Sequence, residues 1–209
     1  MHPYLTRLGV RPEVQEFFKP YFTDDRTGNL VFSYHDAIEH FGFAFHRVPV
    51  SQNLWIAGDA NFSMIKQVFV CASAMDAVAY LNLNFASFKY TDSLLFLATG
   101  AKPNAAQIKW INQNLKDKIF TLLFSKDLLG CICDLKIAAG IRRMPVAISL
   151  LSEESLLVIF RFKQYSFQAN TFSLNAFEKS AKYRLNIRAQ KPKNFDNYLA
   201  QLQANAFNN

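Results

Sequence analysis

Ile119-Phe120-Thr121-Leu122-Leu123-Phe124-Ser125-Lys126-Asp127-Leu128-Leu129-Gly130, running on through Cys131 to Ile141, is the stretch that decides the fold. Ile119 to Phe124 are apolar or nearly so, the pattern of a strand buried on both faces, as in a parallel sheet. A polar break, Ser125-Lys126-Asp127, leads through Gly130 into a segment that reads as a helix. In open α/β sheets, sites collect in the crevice outside the carboxyl ends of the strands. The stretch therefore predicts where a site should lie, and its residues decide what that site can do.

Working upstream, Gln67 to Cys71 and Ser93 to Ala98 read as two further buried strands. A helix over Ala72 to Leu83 lies between them, and a second runs from an N-cap at Asn104 to Leu115. Asp127 to Ile141 supplies a third. Strands alternating with helices of about 10–15 residues imply βαβ units and parallel pairing, and Val146 to Leu150 is expected as a fourth strand of that sheet. Residues 1–65 have a different rhythm. Pro12 sits at a helix start, Thr23 to Asn29 is a turn cluster, and short strands are expected over Leu30 to Tyr34, Phe41 to Val48 and Leu54 to Ala57. Phe41, Phe43 and Phe45 alternate with smaller residues and predict one strongly apolar face. Downstream, Ser155 to Phe162, Tyr165 to Leu174 and Tyr183 to Arg188 are β-rich and basic. A last helix is expected over Phe195 to Leu202 with Asn194 as N-cap, followed by a frayed tail, Gln203 to Asn209. The predicted fold class is α/β within an α+β whole: a central parallel sheet flanked by helices over 66–209, and a small antiparallel β/α subdomain over 1–65.

Half of the 209 residues are hydrophobic and 21 are Phe, enough for a substantial core. No apolar run approaches the ~18 residues of a membrane span, and the N-terminus lacks a charged flank ahead of an apolar stretch, so neither a span nor a signal peptide is expected. Three Cys without a paired framework fit a reducing, cytoplasmic compartment. Cys131 and Cys133 would diverge on a helix, which favours packing over metal binding. The charge is uneven: 13 Lys and Arg face 12 Asp and Glu up to residue 140, but ten face four beyond it. The basic balance belongs to the C-terminal third and points to either an anionic partner or a solvated surface.

Val68-Phe69-Val70-Cys71-Ala72-Ser73-Ala74-Met75-Asp76-Ala77 resembles the first motif of the TOPRIM domain, a strand, a glutamate and a helix start. Thr99-Gly100 resembles the family's glycine after the second strand. The stretch from Ile119 resembles the second motif, a strand followed by Asp-x-Asp-x-x-Gly and a helix. Lys191 to Leu199 is similar to the closing segment of primase-like members from bacterial mobile elements, and residues 1–65 resemble the small domain that precedes TOPRIM in primases. In such proteins the resemblance implies a glutamate acting as general acid/base and an Asp-x-Asp pair holding Mg²⁺ for phosphoryl transfer. Aligned on Asp76-Ala77, the glutamate position is Ala72. Aligned on Gly130, the aspartates are Ser125 and Asp127, with Lys126 between them. Mg²⁺ needs tightly placed oxygen ligands, usually carboxylates together with substrate phosphates. Ala72 can neither ligate nor titrate, and Ser125 is a weak neutral ligand. The resemblance thus implies a vestigial site, Ala72, Asp76, Ser125 and Asp127, with no confident catalytic residue and no resident cofactor.

Three readings follow. The leading one is a catalytically silent TOPRIM-like, primase-related protein that binds nucleic acid or a replication or mobile-element partner. Its candidate contacts are Arg142, Arg143, Arg161, Lys163, Lys182, Arg184, Arg188, Lys191 and Lys193, interleaved with Phe160, Phe162, Tyr165, Phe167 and Tyr183. Strand alternation would set Phe160 and Phe162 on a core face and Arg161 and Lys163 on an exposed one, favouring phosphate contact over base stacking. The second is a divergent Mg²⁺-dependent phosphotransferase or nuclease built on Asp127 with Asp76 or Asp134. The third is an interaction module without nucleic-acid binding. Asp127 also has an ordinary use as a helix cap, Asp134 could pair with Lys136 or a neighbouring loop, and His35 and His40, flanking Asp36 and Glu39, match no metal spacing. No membrane partner is expected, and oligomeric state is not legible.

Overall fold

Val68 and Val70 pack to one side of their strand and Phe69 and Cys71 to the other, all four buried, and this two-sided burial sets the architecture. The structure, a computed structural model, describes residues 1–207. In chain order the elements are α1 (Pro3–Arg7), α2 (Pro12–Phe18), β1 (Thr23–Asp24), β2 (Leu30–Ser33), β3 (Ile38–Gly42), β4 (Phe45–Arg47), β5 (Val50–Gly58), β6 (Gln67–Cys71) and α3 (Ala74–Asn84). There follow β7 (Leu94–Gly100), α4 (Ala105–Asn114), β8 (Ile119–Leu122), α5 (Leu128–Ile141), β9 (Val146–Ser152), β10 (Ser155–Phe160), β11 (Lys163–Gln168), α6 (Leu174–Ala181), β12 (Arg188–Ala189) and α7 (Tyr198–Phe207).

The central sheet has the order β12-β8-β6-β7-β5, in which only β5 runs antiparallel to its neighbour. The protein is thus a mixed α/β fold with a parallel core, as the apolar runs of β6 and β7 predict, whereas β8, expected to be buried on both faces over Ile119 to Phe124, ends at Leu122 and leaves Ile119 exposed beside the short β12. One side of this sheet packs against α1, α2, α3, α7 and the four-stranded antiparallel sheet β1-β2-β3-β4. The other packs against α4, α5, α6 and the three-stranded sheet β11-β10-β9. Residues 50–58 therefore belong to the central sheet, and the cluster that joins Phe18, Phe32 and Phe41 to Phe69 and Phe96 is continuous across residue 65.

Several expectations are corrected. Val146 to Leu150 does not join the central sheet. The position beside β8 is taken by β12, with Arg188 opposite Thr121, and β9 pairs with β10 instead. Tyr183 to Arg188 yields strand only at Arg188–Ala189, because Asn186 adopts a left-handed φ of 53° that interrupts extended backbone. Phe41 to Val48 is a hairpin rather than one strand: Gly42 pairs with Phe45, so Phe43 lies in the turn and only Phe41 is fully buried. Phe160 pairs with Lys163, so Arg161 and Phe162 form a two-residue turn. The alternation that would place Phe162 in the core stops at Phe160. The last helix begins at Tyr198, where Asn197 Oδ1 accepts from Ala200 N (2.8 Å), in place of a cap at Asn194, and it continues through Phe207. Of the expected frayed tail, 203–207 is helical, and Asn208 and Asn209 lie outside the described residues.

Candidate functional site

Because β6 and β8 are parallel neighbours, with Val70 opposite Leu122, the residues that follow them emerge side by side at the carboxyl edge of the sheet. Ala72-Ser73 leads into α3 and Ser125-Lys126-Asp127 into α5. Each helix start is capped locally. Ser73 Oγ accepts from Asp76 N (3.0 Å), and Asp127 Oδ1 accepts from Gly130 N (2.7 Å) and from Ser125 Oγ (2.8 Å). A carboxylate at a helix N-terminus satisfies a free N–H and suits the helix dipole. Asp127 therefore has a structural task, whatever else it does.

Asp76 and Asp134 also have structural partners, each inside the protein. Asp76 accepts from Ser73 Oγ (2.7 Å) and from Leu199 N of α7 (3.3 Å), and burial pushes its carboxyl up to about 6. Asp134, almost without solvent contact, pairs with Lys191 Nζ at 2.5 Å, and its other oxygen, Oδ1, has no hydrogen-bond partner. Burial raises this carboxyl to about 6 although the Lys191 ammonium opposes the shift, so desolvation outweighs the ion pair. The same ammonium donates to Phe124 O (2.7 Å) and Ser125 O (2.8 Å). Lys191 thus delivers a positive charge to the loop after β8, held by two carbonyls and a carboxylate. Its segment is tied down over that loop: Gln190 N donates to Leu122 O (2.8 Å), Lys126 N to Asp196 O (2.8 Å), and Lys126 Nζ to Lys193 O.

The residues present do not fit a divalent cation. Among the described residues, no three His, Cys, Asp or Glu side chains form a group able to hold a metal ion. Asp76, Asp127 and Asp134 are committed to a serine and a backbone N–H, to a helix cap, and to a lysine ammonium. No metal-dependent step is derived from them.

Glu39, set aside in the sequence reading together with Asp36, His35 and His40 for want of a metal spacing, does reach this edge. It lies on β3, is wholly buried and accepts from Ala74 N (2.7 Å) and Met75 N (3.1 Å), the first N–H groups of α3. Tyr34 Oη (2.8 Å) and His46 Nε2 (2.9 Å) lie against the same carboxylate. His40 pairs with Asp25 and His2 with Asp24, so these histidines serve internal pairs rather than a metal cluster. Alternation held the signal: counting by two from Phe41 places Glu39 on the buried face.

The nine basic candidates separate into groups. Lys191 and Lys193 lie on the segment at the carboxyl edge. Arg142, Arg184 and Arg188 line a cleft of about 540 Å³ together with Lys118, which the sequence reading did not include. Lys118 precedes β8, Arg188 begins β12 and Arg142 caps the end of α5, so the cleft opens at the amino edge of the parallel strands, opposite the carboxylate site. Arg142 Nε and Nη2 donate to Leu185 O (2.6 Å) and Asn186 O (2.9 Å), and Arg184 pairs with Glu178, the one acid lining the cleft. Arg161 sits over the Tyr183 ring at 5.0 Å, which brings the β10–β11 turn beside the Lys182-Tyr183-Arg184 segment. Arg143, Lys163 and Lys182 are exposed near these elements. Comparison of the chain with family models, with curated proteins and with solved structures finds no match.

Proposed function

We propose that the protein binds nucleic acid without catalysing a reaction on it, and that it is a silent TOPRIM-like relative of primases in which the carboxylate site has become structural. The observation that carries the binding half is the cleft at the amino edge of the sheet, where Lys118, Arg142, Arg184 and Arg188 surround a single acid. Cations of this density along one cleft suit a polyanion whose phosphates are spaced along a track. The silent half is supported by Ala72 at the glutamate position and by Lys191, whose ammonium stands among the oxygens after β8. A fixed ammonium there repels a second cation and makes Mg²⁺ unnecessary for the local charge balance.

The test is equilibrium binding of labelled DNA and RNA oligonucleotides by fluorescence anisotropy, at several salt concentrations and with or without EDTA. Four phosphate contacts predict a slope of log K against log[salt] of about −3 to −4. EDTA should leave affinity unchanged. Arg188→Glu should weaken every sequence alike and flatten the slope by about 1. No detectable binding at low salt to either polymer would overturn the reading. Dependence on Mg²⁺ would overturn its silent half.

A further inference from the structure

Phe162 is the most exposed large apolar side chain described in the protein, at 104 % relative exposure, and it stands on a backbone that glycine would occupy more cheaply. Arg161 and Phe162 are the central residues of the β10–β11 turn, with φ of 51° and 63°. Tight hairpin turns with two positive φ values favour Asn-Gly, Asp-Gly or Gly-Gly, and a bulky residue in that region is an outlier. Two more cations, Arg143 and Lys182, also adopt positive φ, each just past a helix C-terminus. There the helix dipole rewards a cation, so those two have an ordinary explanation. The hairpin tip has none. An exposed ring in a strained position, with no packing to gain, points to a use outside the chain.

The surroundings indicate what that use is. Arg161 and Lys163 flank the ring, and no acid occurs between Ser155 and Gln168. Arg161 is anchored over Tyr183, the neighbour of Arg184, so the tip adjoins the basic cleft at the amino edge of the sheet. Its base lies at the same end, since Phe160 pairs with Val146, shortly after Arg142 and Arg143. A ligand with regularly spaced negative charges and flat apolar faces satisfies both features, which describes a nucleic-acid strand with unpaired bases. An anionic bilayer fits less well, because it offers no strand that could run from the tip into the cleft.

We propose that Arg161-Phe162-Lys163 is a base-stacking tip: Phe162 stacks on an unpaired base while Arg161 and Lys163 hold the adjoining phosphates, and the strand continues into the cleft lined by Arg184, Arg142 and Arg188. The tip would therefore select single-stranded over duplex nucleic acid. This rests on the nucleic-acid reading above and adds to it the site and the type of strand.

The experiment compares full-length wild type with Phe162→Gly, Phe162→Trp and Arg188→Glu on oligo-dT, on a blunt duplex of the same length, and on phosphatidylglycerol vesicles. Phe162→Gly relieves the backbone, so it should melt at the wild-type temperature or above. Its affinity for oligo-dT should fall about 5- to 150-fold, the ratio corresponding to ~1–3 kcal/mol of stacking, while duplex affinity stays unchanged. Phe162→Trp should retain binding and show tryptophan fluorescence quenched by oligo-dT. If Arg188→Glu weakens binding and Phe162→Gly does not, the tip proposal fails and the nucleic-acid reading survives. If wild type binds neither oligonucleotide, both fail. Binding to vesicles that depends on Phe162, with oligonucleotide affinity indifferent to it, would assign the tip to a membrane surface and overturn the proposal.

Discussion

Glu39 is the residue on which the junction between the small antiparallel sheet and the helix after β6 depends. Four donors converge on a carboxylate without solvent access: Tyr34 Oη, His46 Nε2 and the N–H groups of Ala74 and Met75. Two of these are unsatisfied helix-end groups that nothing else nearby replaces, and burial multiplies the cost of losing their acceptor. Glu39→Ala should therefore cost about 3–5 kcal/mol in urea unfolding, the range for breaking a buried charged network. Glu39→Gln retains one carbonyl acceptor and should cost less, about 1–3 kcal/mol. An alanine variant within ~1 kcal/mol of wild type would show that water or a shifted side chain takes over those donors. The histidine belongs to the same argument: His46 is the one member of this group with partial exposure, so it links the buried carboxylate to solvent.

At the scale of elements, the strand-loop-helix from Ile119 to Ile141 depends on close approach at Gly130. A Cβ there would lie 2.1 Å from Ser125 O and 2.5 Å from Ser125 Oγ, so the loop rests directly on the first turn of α5. Gly130→Ala must push that loop outward and strain its ties to the C-terminal segment through Lys126 and Lys191. A loss of about 1–3 kcal/mol is expected, the usual cost of overpacking. A variant as stable as wild type by thermal melting would mean that the loop moves freely. This element also marks what the sequence could disclose. β6, β7 and α3 to α5 were legible because burial on both faces leaves unbroken apolar runs, and because Asn104 and Asp127 announce their helices as caps. That the segments after β6 and β8 share one edge of the sheet followed from those runs. The Lys191–Asp134 pair was not legible, since the partners lie on distant segments and nothing local marks Asp134 as facing a lysine rather than a helix neighbour. The hairpin at Phe43 and the turn at Arg161-Phe162 were missed for another reason: neither carries a glycine or asparagine at its centre, so alternation ran straight through both. β12 contributes two residues to the sheet, too few for a periodic signal.

Across the whole molecule, four carboxyls depart from their usual range in two directions: Asp25 and Asp36, which face solvent, lie below it, and Asp76 and Asp134, which are buried, lie above it. Hydrogen bonds from Asn29 and Thr27 lower Asp25, and those from Ser51 and Gln52 lower Asp36. Desolvation raises Asp76 and Asp134 to about 6. The two sets act in different pH windows. A carboxyl raised on folding binds its proton more tightly in the folded state, so the folded chain carries the excess protons between about pH 4 and 6, and stability falls as pH rises through that window. A lowered carboxyl contributes stability above its unfolded value and loses it as pH falls further. Stability should therefore be greatest at about pH 4, where the raised carboxyls still hold their protons and the lowered ones are already ionised, although the formal charge of +7 disfavours added protons. Asp76 and Asp134 are each raised by roughly two units, which sets an upper limit of ~3 kcal/mol per group on the loss by pH 7. Urea unfolding at pH 5 and pH 7.5 tests this. The wild type should be more stable at pH 5, and Asp76→Asn should lose part of the difference. Asp134→Asn should remove a further part and leave Lys191 bound to Phe124 O and Ser125 O alone. If both variants keep the wild-type dependence on pH, the slope arises elsewhere, and the two carboxyls are ionised in the folded protein at neutral pH without the cost that their burial implies.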